Sequence, residues 1–325
     1  MKRTTRHVTF MLALSLACTA SAGFAQSGYP SKPIRLLVGF APGGGTDLTA
    51  RVLAQKLDET LRQRVIVDNR PGAGQIVASE LAAKATADGY TLLMAAAGFA
   101  VNPALYQKLP FDSVRDFATI AMVARTPNVL VVSPALPARS VKDVIALARA
   151  KPGYLAYGSG GIGAPSHVSG ALFAALAKVE LTHVPYKGSG PAMIDLLSGQ
   201  LLLSFPDLTV AMSHIKSGKI IALAVTTRER SELMASTPTI AESGLTGYDA
   251  SSWFGVIGPA RIPRPVIAQL NESINRILKS QDVRDMLATQ GASAVGGSAE
   301  DFAATISTEI DKWKKLVAST GIKTE

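Results

Sequence analysis

Short apolar runs alternate with glycine-rich turns and amphipathic stretches along most of the chain. Leu36-Leu37-Val38-Gly39-Phe40 is continuously apolar and predicts a buried strand. The run breaks at Ala41-Pro42-Gly43-Gly44-Gly45. From Thr46-Asp47 onward, Leu48, Val52, Leu53, Leu57 and Leu61 recur at helical spacing and predict a helix with one apolar face. Thr46 or Asp47 is the expected cap of that helix. Residues 64–68 predict a second strand, followed by a second glycine turn, Asn69-Arg70-Pro71-Gly72-Ala73-Gly74, and a helix over residues 76–84. Asp88-Gly89 turns the chain into a third strand over 90–95, which ends in Ala95-Ala96-Ala97-Gly98. This β-α-β-α-β order is that of a doubly wound, mostly parallel sheet.

The pattern then loosens. Residues 102–116 carry Pro103, Pro110 and Phe111 and predict a surface excursion. Residues 120–125 and 129–133 are apolar and β-rich, split by Pro127, and near Val129 the chain is expected to pass into a second lobe. There the first logic repeats. A helix over 140–150 has Ser140 as its cap. A strand over 155–157 leads into Gly158-Ser159-Gly160-Gly161-Ile162-Gly163-Ala164-Pro165-Ser166-His167 and a helix to about residue 177. Strands over 181–186, 201–205 and 220–226 alternate with helices, and the last is the expected place of return to the first lobe. Trp253 and Phe254 are expected in core or hinge packing. Helices are predicted over 266–279, 282–290 and 299–319. The expected fold is therefore α/β with two lobes, each a mostly parallel sheet flanked by helices. Residues 26–127 and 228–325 would form the first lobe and 128–227 the second.

Composition adds a compartment. Lys2, Arg3 and Arg6 precede an apolar stretch, residues 8–17, that is short for a membrane span. Small residues offer cleavage after Ala22 or Ala25, so residues 1–25 read as a secretory leader and the mature chain as exported. Cys18 is the single cysteine. Its alternative use is as a lipoprotein anchor, but Ser15-Leu16-Ala17 lacks the leucine usual three residues upstream. Without Cys18 the mature chain has neither disulfide nor thiol chemistry. The formal charge of +9 falls by three, to +6, with the leader. The remaining basic residues are scattered, so the chain carries no nucleic-acid footprint. A mild positive field favours small anions.

The candidate chemistry lies in the glycine turns. A strand, a glycine turn and a helix start bring unpaired N–H groups beside the positive end of a helix dipole, a seat for phosphate or carboxylate. Asp47 at the mouth would repel a naked anion but suits waters or a ligand's N–H or O–H. Gly158 to Gly163 matches G-x-G-x-x-G, and Glu180 follows about twenty residues on. Glu180 precedes its strand instead of ending it, and export argues against a nicotinamide enzyme. Ser159, the glycine amides and Ser166 remain candidate carboxylate donors. His167, His183 and His214 have no metal-ligand spacing, and no G-x-S-x-G elbow or Walker A motif occurs. His167 at a helix start, and Tyr186 and Asp207 at strand ends, are candidate ligand contacts.

Tyr29-Pro30 with Pro33-Ile34, Ala41-Pro42-Gly43-Gly44-Gly45-Thr46-Asp47, Asn69-Arg70-Pro71-Gly72-Ala73-Gly74, Asp88-Gly89-Tyr90-Thr91-Leu92-Leu93, Val184-Pro185-Tyr186-Lys187-Gly188 and Leu223-Ala224-Val225-Thr226-Thr227 occur in this order. Together they resemble the Bug (TctC-like) family, the periplasmic solute receptors of tripartite tricarboxylate transporters, from about Tyr29 to Leu316. The resemblance implies a two-lobed Venus-flytrap fold. Two loops pinch a carboxylate through main-chain N–H groups and bridging waters. Here those are residues 40–47 and 159–167, with Asp47 anchoring waters and Tyr186 and Asp207 choosing the far end of the ligand. The implied ligand site comprises Phe40, Pro42, Gly43, Gly44, Gly45, Thr46, Asp47, Ala96, Ser159, Gly160, Gly163, Ser166, His167, Tyr186 and Asp207, with no catalytic residue, metal or cofactor.

The chain departs from the family pattern at Gly74-Gln75-Ile76, where Gly-Gly-Asn is common. It also departs in the second pinching loop, where Ile162, Ala164 and Pro165 intervene, and at Leu202, near which an acid is common. The first two changes make the pocket more apolar. The expected partners are a small organic acid (a mono- or dicarboxylate, an aromatic acid, or an acidic amino acid or its amide) and the membrane permease, with the receptor a monomer. The rival readings are a periplasmic hydrolase or transferase using Ser159 or Ser166 with His167, and a sensory receptor that hands the same ligand to a signalling protein.

Overall fold

The computed structural model describes residues 28–320 and residue 322. The expected leader, its cleavage sites and Cys18 lie outside the described residues. The chain divides into two units between Ser31 and Lys32. The described part of the first, residues 28–31, contains neither helix nor strand. The fold below is that of the second unit.

Eleven described strands form two sheets. β1 (Ile34–Val38), β2 (Val65–Asn69), β3 (Thr91–Ala96) and β4 (Phe117–Pro127) belong to the first. β5 (Val129–Val132), β6 (Ala156–Ser159), β7 (Thr182–Pro185), β8 (Leu203–Ser204) and β9 (Ile221–Val225) make the second, in the order β7-β6-β8-β5-β9. β10 (Ser251–Pro259) and β11 (Ser293–Ala294) complete the first, in the order β11-β4-β10-β3-β1-β2. In the first sheet β1 to β4 run one way, against β10 and β11. In the second, β6 to β9 run together and β5 opposes them. Both sheets are mixed, which corrects the mostly parallel expectation: most strands share a direction, but five of the nine described pairings are antiparallel, all of them made by β5, β10 or β11. The first strand after each crossing, β5 on entry and β10 on return, is an antiparallel one.

The helices follow their strands as the apolar spacing predicts. α1 (Gly45–Leu61) buries Leu53 and Leu57, and α2 (Ile76–Ala83) follows a 3-10 turn over Ala73–Gln75. α3 (Gly98–Leu105) takes the start of the expected 102–116 surface excursion into the core, and the remainder runs to residue 116 without helix or strand. The helix buries Phe99, Val101, Asn102 and Leu105 although Pro103 lies inside it. Proline removes one helical hydrogen bond, but this helix ends two residues later and its apolar face drives it inward. Phe111 is buried too, edge-on to Phe117 at 5.5 Å, with Phe99 edge-on to the same ring at 4.9 Å. α4 (Val141–Ala150) is capped as expected, the Ser140 hydroxyl accepting from the Asp143 N–H.

α5 (Pro165–Ala177), α6 (Ser189–Ser198) and α7 (Leu208–Lys216) each begin just past a β-strand of the second sheet. α8 (Arg264–Lys279), α9 (Gln281–Thr289) and α10 (Ala299–Thr320) close the chain. β9 stays in the second sheet, so the return falls later than the 220–226 expectation and is made by β10.

The crossings are joined by buried polar groups. The Asn128 carbonyl accepts the N–H and the hydroxyl of Thr226, both at 3.0 Å, and the Thr226 carbonyl accepts the Ala250 N–H at 2.8 Å. Asn128 Nδ2 donates to the Phe205 carbonyl at 2.7 Å. Trp253 and Phe254 sit in β10, both buried, and Trp253 meets Phe302 of α10 edge-on at 5.3 Å. Phe302 fills the space above Gly255, where a Cβ would overlap its ring. Truncating Phe302 to alanine leaves a cavity against the centre of the first sheet. Phe302→Ala is expected to cost about 3–5 kcal/mol in urea unfolding. A loss under about 1 kcal/mol would mean that the site repacks.

Candidate functional site

The first pinching loop is held by a buried carboxylate. Gly44 occupies the N-cap of α1 in an extended conformation and offers no side-chain bond, so neither Thr46 nor Asp47 caps as expected. Asp47 instead reaches backward from the first turn. Its Oδ2 accepts the Gly43 N–H at 3.0 Å and Arg51 Nε at 2.9 Å, and its Oδ1 accepts Asn69 Nδ2 at 2.9 Å. Asn69 Nδ2 also donates to the Phe40 carbonyl at 3.0 Å. Burial alone would raise the Asp47 pKa. The bonds from Arg51, Gly43 and Asn69 outweigh it and hold the carboxyl below its ordinary value. Asp47 thus ties the ends of β1 and β2 to the start of α1. Its oxygens are already engaged by protein donors.

The second loop is satisfied from within. The Gly160 N–H donates to Ser166 Oγ at 2.9 Å, the Gly161 N–H to Ser159 Oγ at 3.1 Å, and the Gly163 N–H to His167 Nδ1 at 3.2 Å. The glycine amides and the Ser159 hydroxyl, which donates to the Gly161 carbonyl, are therefore committed to the loop, while Ser166 is engaged as an acceptor. Accepting at Nδ1 makes His167 neutral with its proton on Nε2. Ser159 Oγ lies 2.6 Å from Nε2 of His183, a residue outside the expected site. Nδ1 of His183 is buried without a partner. The assignment that leaves no N–H unpaired puts the proton on Nε2, so that His183 donates to Ser159.

The two imidazoles lie 4.3 Å apart, and His183 stacks on Tyr157 at 4.9 Å. Burial pushes His167 down to about 3, with His183 adding repulsion, and pushes His183 down to about 4.

The two lobes meet main chain to main chain. The Ala41 N–H donates to the Lys187 carbonyl at 2.8 Å. Cβ atoms at Gly188 and Gly190 would lie 3.1 Å from Ala41 N and from the Pro42 carbonyl oxygen respectively. Gly74, at φ +57°, faces the Ile162 carbonyl so closely that a methyl group would overlap it. Between the lobes is a cavity of about 20 Å³, room for roughly one water. Phe40, Gly44, Gly45, Thr46 and Asp207 of the expected site line it, joined by Ala164, Pro165, Ser189, Ser252 and Phe254.

The remaining expected residues stand around that cavity without lining it. Pro42 and Gly43 abut Gly190, and Ser159, Gly160, Gly163, Ser166 and His167 form the second loop's internal network. The Ala96 main chain exchanges both of its hydrogen bonds with the Gln75 side chain. The Tyr186 hydroxyl donates to Asp195 at 2.5 Å. Asp207, which does line the cavity, is the N-cap residue of α7; the Thr209 hydroxyl donates to its Oδ1, and burial pushes its carboxyl above the ordinary value. Ser252 had no sequence signal beyond a strand-like neighbourhood. His183 had none either: alternation along Thr182–Pro185 would favour the apolar Val184 as the inward position, whereas the structure buries His183 and leaves Val184 half-buried.

Residues 49–322 match the tripartite tricarboxylate transporter family receptor model. Protein BugT of Bordetella pertussis is 37% identical over 323 residues, covering 98% of this chain and 99% of that protein. The solved structure of R. palustris Rpa4515 with adipate has a TM-score of 0.88 at 37% identity, covering 91% of this chain and 99% of that one. MatC from Rhodopseudomonas palustris with bound malate has a TM-score of 0.86 at 30% identity, covering 89% of this chain and 100% of that one.

The buried imidazoles set an acid limit. Their folded pKa values lie below the ordinary 6.5, so the unfolded chain binds protons first and stability is lost as pH falls from about 6.5 toward 4. His183→Gln is expected to flatten that part of a melting-temperature profile; an unchanged slope would mean that His183 is not held neutral. Gly74→Ala is expected to hold the lobes apart, seen as a larger radius of gyration in small-angle scattering. An unchanged radius would show that the contact does not limit closure.

Proposed function

The chain belongs to the tripartite tricarboxylate transporter receptor family, and we propose that it captures a small organic acid between its lobes and delivers it to the transporter's membrane permease. The observation that carries this reading is the α1 start. Its first-turn N–H groups have no intrahelical acceptor, Gly44 supplies no cap, and Gly44, Gly45 and Thr46 face the inter-lobe cavity. Unpaired donors at a helix N-terminus suit a carboxylate. The adipate and malate of the two solved relatives are ligands of that chemistry.

A cavity of about 20 Å³ cannot hold such an acid. Capture therefore requires the lobes to part about the Asn128 and Thr226 crossings, admit the acid, and close on it. The apolar walls, Phe40, Phe254 and Pro165, exclude water and strengthen the amide–carboxylate bonds. Both pinching loops come from one chain, so a single copy carries a complete site.

The family is one of periplasmic receptors, and the basic-apolar-small pattern of residues 1–25 supports export through a cleavable leader. It is a receptor, not an enzyme. Of the rival hydrolase's residues, Ser159 pairs with His183, Ser166 accepts from Gly160, and His167 accepts from Gly163.

A thermal-shift screen of the mature chain with adipate, malate, other carboxylates and their amides tests the reading. An acid at one hundred times its Kd is expected to stabilise the chain by about 2.7 kcal/mol. Asp47→Ala is expected to stay folded at a lower melting temperature and to bind at least tenfold more weakly, because the Gly43 turn loses its anchor. Unchanged affinity in Asp47→Ala would remove this loop from the site. No shift with any acid, and no small acid in the extract of the denatured protein, would overturn the receptor reading for carboxylates.

A further inference from the structure

The inter-lobe cavity is polarised. On one side stands the uncapped first turn of α1, the positive end of a helix of 17 residues. On the same cavity lies Ser252 of β10, 1% exposed, whose Oγ is buried without any partner. A hydroxyl left unpaired in a buried site is costly. Across from them stands Asp207, reached from the second lobe and so close to Gly45 that a methyl group there would overlap its Oδ1. No lysine or arginine is among the cavity-lining residues described.

We infer that the cleft selects a bipolar ligand, with a carboxylate at the α1 start and Ser252 and a neutral or cationic hydrogen-bond donor, an amide, hydroxyl or ammonium group, against Asp207. This rests on the proposed capture of an organic acid and names its class. The ligand's carboxylate needs donors and no countercharge, because the helix start supplies both N–H groups and positive potential. Its far end meets a carboxyl group that burial holds above its ordinary pKa and that already accepts the Thr209 hydroxyl at Oδ1. An acceptor there would leave two acceptors facing each other. A second ionised carboxylate would add like-charge repulsion in a site shielded from water, or would have to bring a proton to be shared. A donor satisfies Asp207 directly. Ser252 is a specificity residue for the carboxylate end, and Asp207 for the donor end.

Matched pairs separate these roles. Isothermal titration at pH 7.5 compares adipate with its monoamide and succinate with its monoamide. The monoamide of at least one pair is expected to bind at least tenfold more tightly than its diacid. Asp207→Asn keeps a good N-cap for α7 and a side chain of equal size, so it is expected to remain folded and to shrink that ratio at least fivefold. Ser252→Ala is expected to weaken both members of a pair about equally, by tenfold or so, with the melting temperature of the free protein unchanged or raised.

Diacids that bind as tightly as their monoamides in both pairs, or a ratio that Asp207→Asn leaves intact, overturn the inference while leaving the receptor reading standing. Diacid binding accompanied by uptake of one proton, read from titrations in buffers of different ionisation enthalpy, would assign Asp207 to a shared-proton pair instead and would likewise overturn it. Binding by neither member of either pair, where other carboxylates do shift the melting temperature, overturns the inference alone; binding by no carboxylate at all overturns both.

Discussion

Closure of the two lobes depends on backbone approaching backbone with no side chain between. Gly74 against the Ile162 carbonyl, Gly98 against the Gly163 carbonyl and Gly188 against Ala41 are such places. At Gly98 a Cβ would come within 2.6 Å of the carbonyl oxygen, nearer than real side chains stand. The consequence is chemical as well as steric. Where chains approach this closely, amides and carbonyls face one another across the lobes. Asp207 is the one charged side chain among the described lining residues. Under the proposed capture, the dipoles fixed at the α1 start hold the acid end. That suits a receptor that must bind an anion and release it to a permease, since fixed dipoles need little reorganisation in either direction.

The same economy explains why the polar side chains of the site point at the protein. Asp47 spends its oxygens on Gly43, Arg51 and Asn69, and in doing so sets where the α1 start lies. Ser166 and His167, adjacent in sequence, each accept one glycine N–H of the loop before them. The resulting loops are rigid on the timescale of ligand exchange only if these bonds persist. The burial that keeps both histidines neutral is what makes His167 an acceptor. Asn128 and Thr226, paired across the two crossings, hold the sheets in register while leaving just two extended segments between them.

Much of the fold was legible because glycine turns and apolar runs report backbone geometry directly. The strands before Gly43 and Gly158 and the helices after them follow from spacing alone. α3 was not legible, because Pro103 argues locally against a helix and only burial of Phe99, Val101 and Leu105 against neighbouring elements overrides it. The candidate site was legible in its main-chain half for the same reason. The glycines at 43–45 mark the α1 start without any tertiary knowledge. Its side-chain half was not. Ser252 becomes conspicuous only when its hydroxyl is found buried without a partner, and the partner of the Tyr186 hydroxyl, Asp195 within α6, is visible only in the structure. Such pairings join residues distant along the chain or on other elements, and no local period encodes them.

The Ser159–His183 pair shows how far a short contact is from a function. At 2.6 Å the two side chains have the spacing of a nucleophile and its base. A base must accept a proton during turnover and be stabilised when it does. The far nitrogen of His183 has no acid or carbonyl to receive a proton, and burial holds the ring neutral down to about 4. A second imidazole 4.3 Å away adds repulsion to any charge formed. The same arrangement is well suited to a static task. A neutral imidazole donating to Ser159 leaves the serine oxygen free to accept the Gly161 N–H, and the loop that closes over the cleft is thereby anchored to β7 beneath it. The surroundings of the pair, more than its distance, decide between chemistry and scaffolding, and here they favour scaffolding.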